Sequence, residues 1–148
     1  MLLEPNQRHD LGDLVVHTVP ADHGDISPTA LALVLEFDGV RVMATGDSSW
    51  RPALFKPLYD LQPDVVLPAI NGVFGNMNHI DAARLVSEAK PRIAIPCHFW
   101  TLAEQGAGDP AGFIHACTVM CPEVRAVLLK PDEIFSVEPQ DCKLENRQ

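Results

Sequence analysis

The sequence predicts an α/β fold, and three observations support this fold class. Two apolar runs joined by Asp38-Gly39 predict a β-hairpin, and the second half of the chain alternates strand-like runs with segments of helical periodicity. Polar residues that are common in binding sites follow the ends of several predicted strands. The chain has 148 residues, of which 47% are hydrophobic. We therefore expect a single domain over residues 1–148.

The first half of the chain is predicted to consist mainly of strands. A strand is expected over Asp13–Val19, followed by the turn-rich segment Pro20–Pro28. The runs Ala30–Phe37 and Val40–Thr45 flank the Asp38-Gly39 pair. An Asp-Gly pair in this position is the strongest short hairpin signal, because both residues of the turn require positive φ. These runs should therefore form adjacent antiparallel strands.

The second half is predicted to alternate strands with three helices. Helical spacing is found over Ala53–Asp60, Ile80–Ala89 and Pro110–Met120. Pro52 precedes the first helix, where a missing N–H costs nothing. The strands predicted between and after these helices are Asp64–Ile70, Arg92–Pro96, Arg125–Leu129 and Ile134–Val137. Residues 141–148 are polar and are predicted to fray.

Composition excludes several classes of protein. The net charge is −9 and Lys and Arg form no cluster, so we expect no nucleic-acid partner. Charge or proline interrupts every apolar run before it reaches the ~20 residues of a membrane span, and the first residues lack the pattern of a secretory signal. None of the four cysteines has the two-residue spacing of a zinc ribbon. These features predict free thiols and a cytoplasmic location.

Three candidate functional residues lie just beyond predicted strands, namely His23, Asp47 and His98. Strand ends are where α/β folds build ligand sites, and Asp with His is a natural ligand set for zinc and similar metals. Each residue also fits a structural role. An Asp after Gly46 can form a turn or cap a helix, and a histidine in a loop can be an ordinary surface or core residue. Spacing alone leaves both interpretations open.

Three segments together resemble the metallo-β-lactamase superfamily. Ala44-Thr45-Gly46-Asp47-Ser48 resembles the "TGD" motif that follows a strand of that family. Upstream, Pro20-Ala21-Asp22-His23-Gly24 resembles its histidine-glycine segment. Downstream, Ile95-Pro96-Cys97-His98-Phe99 resembles the strand that ends in the family's last histidine. The ordered set is far more specific than "TGD" alone.

A narrower resemblance points to the branch around L-ascorbate-6-phosphate lactonase. It is carried by residues 70–78, by the following Asp81-Ala82-Ala83, and by Gly108-Asp109-Pro110. The matches together run from residue 14 to residue 137. The superfamily's His-x-His-x-Asp-His motif is absent, since no two of the six histidines lie two residues apart. The chain therefore resembles only the C-terminal half of such a domain.

The resemblance implies an αββα sandwich hydrolase, here as its C-terminal half, with one or two divalent ions, zinc or manganese. Asp47 would be the acidic ligand and the catalytic residue, His98 the last ligand of the second ion, and His23 the ligand that completes the first. Water activated by the metal would attack a lactone or similar ester. The small-molecule substrate would contact Asn71 and Asn76, which could equally be turn residues beside glycines.

A second hypothesis assigns the chain no catalysis of its own. Without the histidine motif it would be a truncated, catalytically incompetent module that acts as a binding or self-associating unit. Half of a sandwich exposes one face and an edge of its sheet, which favours pairing with another chain. The expected partner is the N-terminal half of the domain or a second copy of this chain. Whether the chain alone is an enzyme stays open at this point.

Overall fold

A computed structural model describes residues 2–99 and 108–139, so the segment 141–148 predicted to fray lies outside the described residues. Seven strands of the described part form one sheet, in which each strand neighbours the next along the chain. The strands are β1 Arg8–Asp10, β2 Val15–Pro20, β3 Leu31–Phe37, β4 Val40–Ala44, β5 Val65–Leu67, β6 Ile93–Ala94 and β7 Arg125–Ala126. The helices are α1 Pro52–Tyr59, α2 His79–Ala89 and α3 Pro110–Met120, with a short 3₁₀ turn at Gly24–Ile26. The predicted α/β fold class is confirmed.

The direction of the strands places four loops at one end of the sheet. Strands β1 to β4 pair antiparallel, and β4 to β7 pair parallel. Consequently β2, β4, β5 and β6 all run in the same direction. The loops that leave these four strands lie at the same end, which we call the carboxyl end of the sheet.

The predicted hairpin forms between β3 and β4. Asp38 and Gly39 adopt φ values of 49° and 76°, and Phe37 pairs with Val40 across the turn. Two consecutive positive φ angles match the twist of a tight hairpin. The Asp-Gly pair therefore fixes the register of β4, which leads to the carboxyl end, against β3.

Side chains directly before α2 and α3 cap these helices. Asn78 accepts hydrogen bonds from the backbone N–H groups of Ile80 and Asp81, so α2 starts at His79. The Asp109 side chain accepts from Gly112 N at 2.7 Å and caps α3. These caps satisfy N–H groups that have no partner within the helix. No helix within the described ranges is long and apolar enough to cross a membrane.

One face of the sheet and the three helices share a single core. Val34, Met43, Val66 and Ala94 align across neighbouring strands and are fully buried. The largest buried side chains that the helices add are Phe55, Leu58, Leu85 and Phe113. The free thiols of Cys117 and Cys121 lie in the same core. Full burial of such a side chain contributes roughly 1.5–3 kcal/mol, so this core holds the helices on the sheet.

The other face of the sheet is apolar but only half-buried. Its middle is formed by aligned aliphatic side chains of β3, β4 and β5, namely Leu33, Leu35, Val42, Ala44 and Leu67. None of them belongs to the core that contains the helices. Aliphatic residues at this position would gain stability from a further layer packed on the sheet.

The prediction and the structure disagree on whether two segments form strands at all. Ile134–Val137 forms no strand, and Ile134 is 90% exposed, so hydrophobicity alone misidentified this run. Conversely, Arg8–Asp10 forms the edge strand β1 although its side chains are polar. An edge strand needs only backbone pairing on one side, and polar side chains are normal there.

Phe113→Ala should destabilise the fold, because it removes a fully buried ring from the centre of the core. We expect a loss of about 3–5 kcal/mol in the free energy of unfolding, measured by urea denaturation. Val119→Ala on the same helix is the matched control, since Val119 is 68% exposed. It should change stability by less than about 0.5 kcal/mol. Equal losses in the two variants would contradict the placement of α3.

Candidate metal centre

His23, Asp47 and His98 meet at the carboxyl end of the sheet. Oδ2 of Asp47 lies 3.8 Å from Nε2 of His23 and 3.5 Å from Nε2 of His98. The His23 side chain is 8% exposed, whereas the Asp47 side chain is 43% exposed. The three residues come from the loops after β2, β4 and β6. Any two of these residues are at least 24 positions apart in sequence. The structure thus brings together all three residues that the sequence singled out.

The distances suit donors that share an ion. Both exceed an ordinary N–H···O hydrogen bond of about 2.7–3.2 Å. Two donors that each lie about 2.0–2.1 Å from one tetrahedral ion are about 3.4 Å apart, close to the observed separations. Within the described ranges, however, no three or more His, Cys, Asp or Glu side chains are grouped to hold a metal ion by themselves. The arrangement is two donor pairs that share Asp47.

The end of β4 is anchored so that Asp47 projects from a fixed turn. Gly46 has φ +60°, and a Cβ atom there would lie 2.6 Å from the carbonyl oxygen of Leu31. Directly before it, the buried Thr45 accepts a hydrogen bond from Ala69 N through its hydroxyl at 3.1 Å. A glycine is required where the backbone takes this conformation this close to another strand.

His98 follows a strand extension that remains paired with β5. Ile70 N donates to Cys97 O at 3.1 Å, and Cys97 N donates to Pro68 O at 2.9 Å. At His98 the backbone turns into the left-handed region, with φ 57°. Non-glycine residues rarely adopt this conformation, and it is enriched at functional sites. The turn directs the chain away from the sheet just where the imidazole meets Asp47.

The Cys97 thiol lies at the same end and stays protonated. It donates to Pro68 O at 3.4 Å. Desolvation, and then the negative charge of Asp47, raise the pKa of Cys97 to about 11. Cys97 is therefore a neutral neighbour of the site at physiological pH.

The His23 loop is tied to the Asp47 loop through Asp22. Its carboxylate accepts from the Arg51 guanidinium and, at 2.9 Å, from the Ser49 hydroxyl. These two contacts, with the backbone N–H of Gly24, hold the pKa of Asp22 below its usual range. Sequence reasoning had assigned no role to Asp22. Its position directly before His23 was the available signal, but its partners lie 27 and 29 residues away.

The two asparagines lie in the loop that follows β5 and are buried beside the site. Asn71 is 3% exposed and Asn76 is 9% exposed. Among the described residues, neither polar side-chain atom of Asn71 has a hydrogen-bond partner, and Oδ1 of Asn76 has none. Their loop is joined to the Asp47 loop because Met77 N donates to Ser48 O at 2.9 Å. Asn76 N also donates to Val73 O and closes a turn. Asn76 is therefore a turn residue, and its side-chain oxygen has no hydrogen-bond partner among the described residues.

The sequence comparisons relate the chain to proteins that are named as hydrolases. No protein-family model matches the chain. It is 32% identical over 131 residues to a UPF0173 metal-dependent hydrolase of Aeropyrum pernix, an alignment that covers 87% of this chain and 52% of that protein. It is 33% identical over 138 residues to another of Archaeoglobus fulgidus, covering 84% of this chain and 57% of the relative. The chain thus spans about half the length of the curated relatives it matches.

Comparison with solved structures decides the fold. The metallo hydrolase Igni18 of Ignicoccus hospitalis superposes with a TM-score of 0.79 at 20% identity, over 93% of this chain and 61% of that one. The metallo-β-lactamase fold protein YhfI of Bacillus subtilis superposes with a TM-score of 0.70 at 18% identity, over 86% of this chain and 52% of YhfI. This chain has the metallo-β-lactamase fold. Within that fold, His23, Asp47 and His98 occupy loops at the end of one sheet.

Gly46→Ala should cost more than Gly39→Ala, although both glycines have positive φ. Alanine in this region costs about 1–2 kcal/mol at either position. At Gly46 the new methyl group also collides with the Leu31 carbonyl, whereas nothing lies within 4 Å of a Cβ at Gly39. We expect a further loss of about 1–3 kcal/mol in urea denaturation at Gly46. Equal losses would contradict the close approach of β3 and the Asp47 turn.

The Cys97 thiol should react slowly with iodoacetamide at pH 8, because a raised pKa leaves almost no thiolate at that pH. The rate should rise as the pH approaches about 11. Asp47→Asn should speed the reaction at pH 8, since it removes the negative charge that opposes the thiolate. The alkylated residue is identified by peptide mass spectrometry. An unchanged rate in Asp47→Asn would show that the carboxylate does not act on this thiol.

Proposed function

We propose that this chain forms part of a metal-dependent hydrolase that cleaves a lactone or similar ester. The observation that carries the proposal is the shared contact of Asp47 Oδ2 with His23 Nε2 and His98 Nε2. The fold and the names of the relatives support the same reaction class. A water-driven hydrolysis needs no nucleophilic side chain.

His23 and His98 would each hold a divalent ion through Nε2, and Asp47 would hold it through its carboxylate. Where two ions bind, the negative charge of Asp47 would offset their repulsion. Neutral imidazole with carboxylate suits zinc, and manganese is the second candidate. A divalent ion in this site would lower the pKa of a coordinated water and polarise the ester carbonyl.

The remaining ligands would come from a segment outside this chain. Three donors are fewer than a two-metal site needs, and the chain lacks the His-x-His-x-Asp-His motif. The chain also spans only about half of its relatives. We propose that it is the C-terminal half of an αββα sandwich, whose other half would pack on the half-buried apolar face of the sheet. That half is the partner we expect to complete the enzyme.

Asn71 and Asn76 are the proposed substrate contacts. Their side chains are buried near the Asp47 loop and have polar atoms without partners among the described residues. An amide offers both a donor and an acceptor, so it can bind a carbonyl or a hydroxyl group. Buried polar groups of this kind are stabilised when a ligand satisfies them. A small oxygen-rich ester or lactone would supply such groups.

Asp47→Ala tests the assignment because it removes the donor that both histidines face. We expect metal affinity to fall by more than about 100-fold, since loss of a group that merely supports a ligand already costs about 10–100-fold. Isothermal titration calorimetry with Zn²⁺ or Mn²⁺ measures the metal affinity of this chain. Lactone hydrolysis is measured after the proposed N-terminal half of the domain has been added.

The matched control for that variant is Asp60→Ala. Asp60 is an exposed carboxylate paired with Lys56 at the end of α1, and the paired side chains are 62% and 69% exposed. Its removal should leave metal affinity and hydrolysis unchanged. Unchanged metal binding and hydrolysis in Asp47→Ala would overturn the proposed ligand set.

A further inference from the structure

We propose that Asp22 positions the His23 imidazole against Asp47 by tying the loop after β2 to the loop after β4. Asp22 touches neither metal nor substrate in this proposal and acts through its neighbour. This proposal rests on the proposed function in one respect, namely that His23 and Asp47 are metal ligands. The positioning itself follows from contacts within this chain.

The Asp22 carboxylate joins residues on both sides of the site. Oδ2 accepts hydrogen bonds from the Ser49 hydroxyl and from Nε of Arg51, which lie two and four residues beyond Asp47. Oδ1 accepts from Gly24 N at 3.3 Å, on the far side of His23. One side chain thus holds the backbone on both sides of His23 and the segment that follows Asp47.

The backbone of Asp22 forms a second connection that does not need the carboxylate. Asp22 N donates to the Ser48 hydroxyl at 2.9 Å, and Ser49 N donates to Asp22 O at 2.7 Å. These two bonds keep the loops docked when the carboxylate is removed. A variant of the Asp22 side chain should therefore remain folded while the angle between the loops relaxes.

The His23 ring has no orienting partner of its own in the described residues. A metal-binding histidine usually donates its second ring nitrogen to a carboxylate or carbonyl, which fixes the ring. Nδ1 of His23 is buried and has no such partner among the residues described. Its orientation therefore depends on the backbone that carries it, and Asp22 holds that backbone through Gly24 and Ser49.

The same network reaches the loop that carries the proposed substrate contacts. Ser48 is fully buried, and its carbonyl accepts from Met77 N at 2.9 Å. Met77 in turn accepts from Gly72 N at 2.9 Å through its own carbonyl. Asp22 is thus at one end of a chain of hydrogen bonds that spans three loops of the site.

The test compares Asp22→Ala and Asp22→Asn with the control Asp10→Ala. Asp10 lies on the edge strand β1 at the opposite end of the sheet and has the same kinds of partner, the guanidinium of Arg8 and the N–H of Gly12 two residues on. The first readout is the nuclear Overhauser effect between the His23 ring protons and the Asp47 Hβ protons, measured on this chain without metal. The second is the affinity for Co²⁺, and the third is the thermal midpoint.

In Asp22→Ala we expect the Overhauser effect to fall at least about twofold and the Co²⁺ affinity about 10–100-fold, the usual cost of losing a group that supports a ligand. Asp22→Asn should recover part of both, because its amide oxygen still accepts hydrogen bonds. Asp10→Ala should change neither. A folded Asp22→Ala protein with a lower thermal midpoint but an unchanged Overhauser effect would overturn the proposal.

Two further outcomes are also decisive. If Asp22→Ala does not fold, Asp22→Asn and Arg51→Ala are measured in the same way, and an unchanged Overhauser effect in both overturns the proposal. If the unaltered chain binds no Co²⁺, that result counts against the proposed ligand set of this chain. The metal-free Overhauser measurement still decides the role of Asp22.

Discussion

The direction of four strands is the constraint on which the candidate site depends. Strands β2, β4, β5 and β6 point the same way, so the chain leaves each of them at the same end of the sheet. The loops after three of them present His23, Asp47 and His98, and the loop after β5 presents the asparagines. A reversal of any of these strands would move its loop to the opposite end. The core stabilises the site indirectly, by holding α1 and α2, which return the chain to β5 and β6.

The site combines a rigid framework with locally unfavourable backbone. His98 adopts a left-handed conformation that is unfavourable for a non-glycine residue, whereas the positive φ of Gly46 is one that glycine tolerates. Such conformations persist only where surrounding structure fixes them. Here the surrounding structure is the bond from Ala69 N to the Thr45 hydroxyl and the pairing of Cys97 with Pro68 and Ile70. The candidate site is therefore built on turns that strand pairing holds in place.

Much of the fold, and the meeting of three candidate residues, could be predicted from the sequence. The Asp38-Gly39 turn is a short local pattern, and the meeting of His23, Asp47 and His98 depends on strand direction. Strand β1 was missed because an edge strand carries no apolar alternation. The Asp22 network was missed because its partners are distant in sequence and only the folded loops bring them together. Contacts of this kind leave no periodic signal.

The order of the strands also has a consequence for how the protein is made. Each strand pairs with its predecessor along the chain, so every pairing closes a comparatively short loop. During synthesis the chain emerges from its N-terminal end, and each new strand can dock on an edge that already exists. His23 and Asp47 can then meet as soon as β4 has docked. His98 joins them only after β6, so the candidate site is among the last features to be assembled.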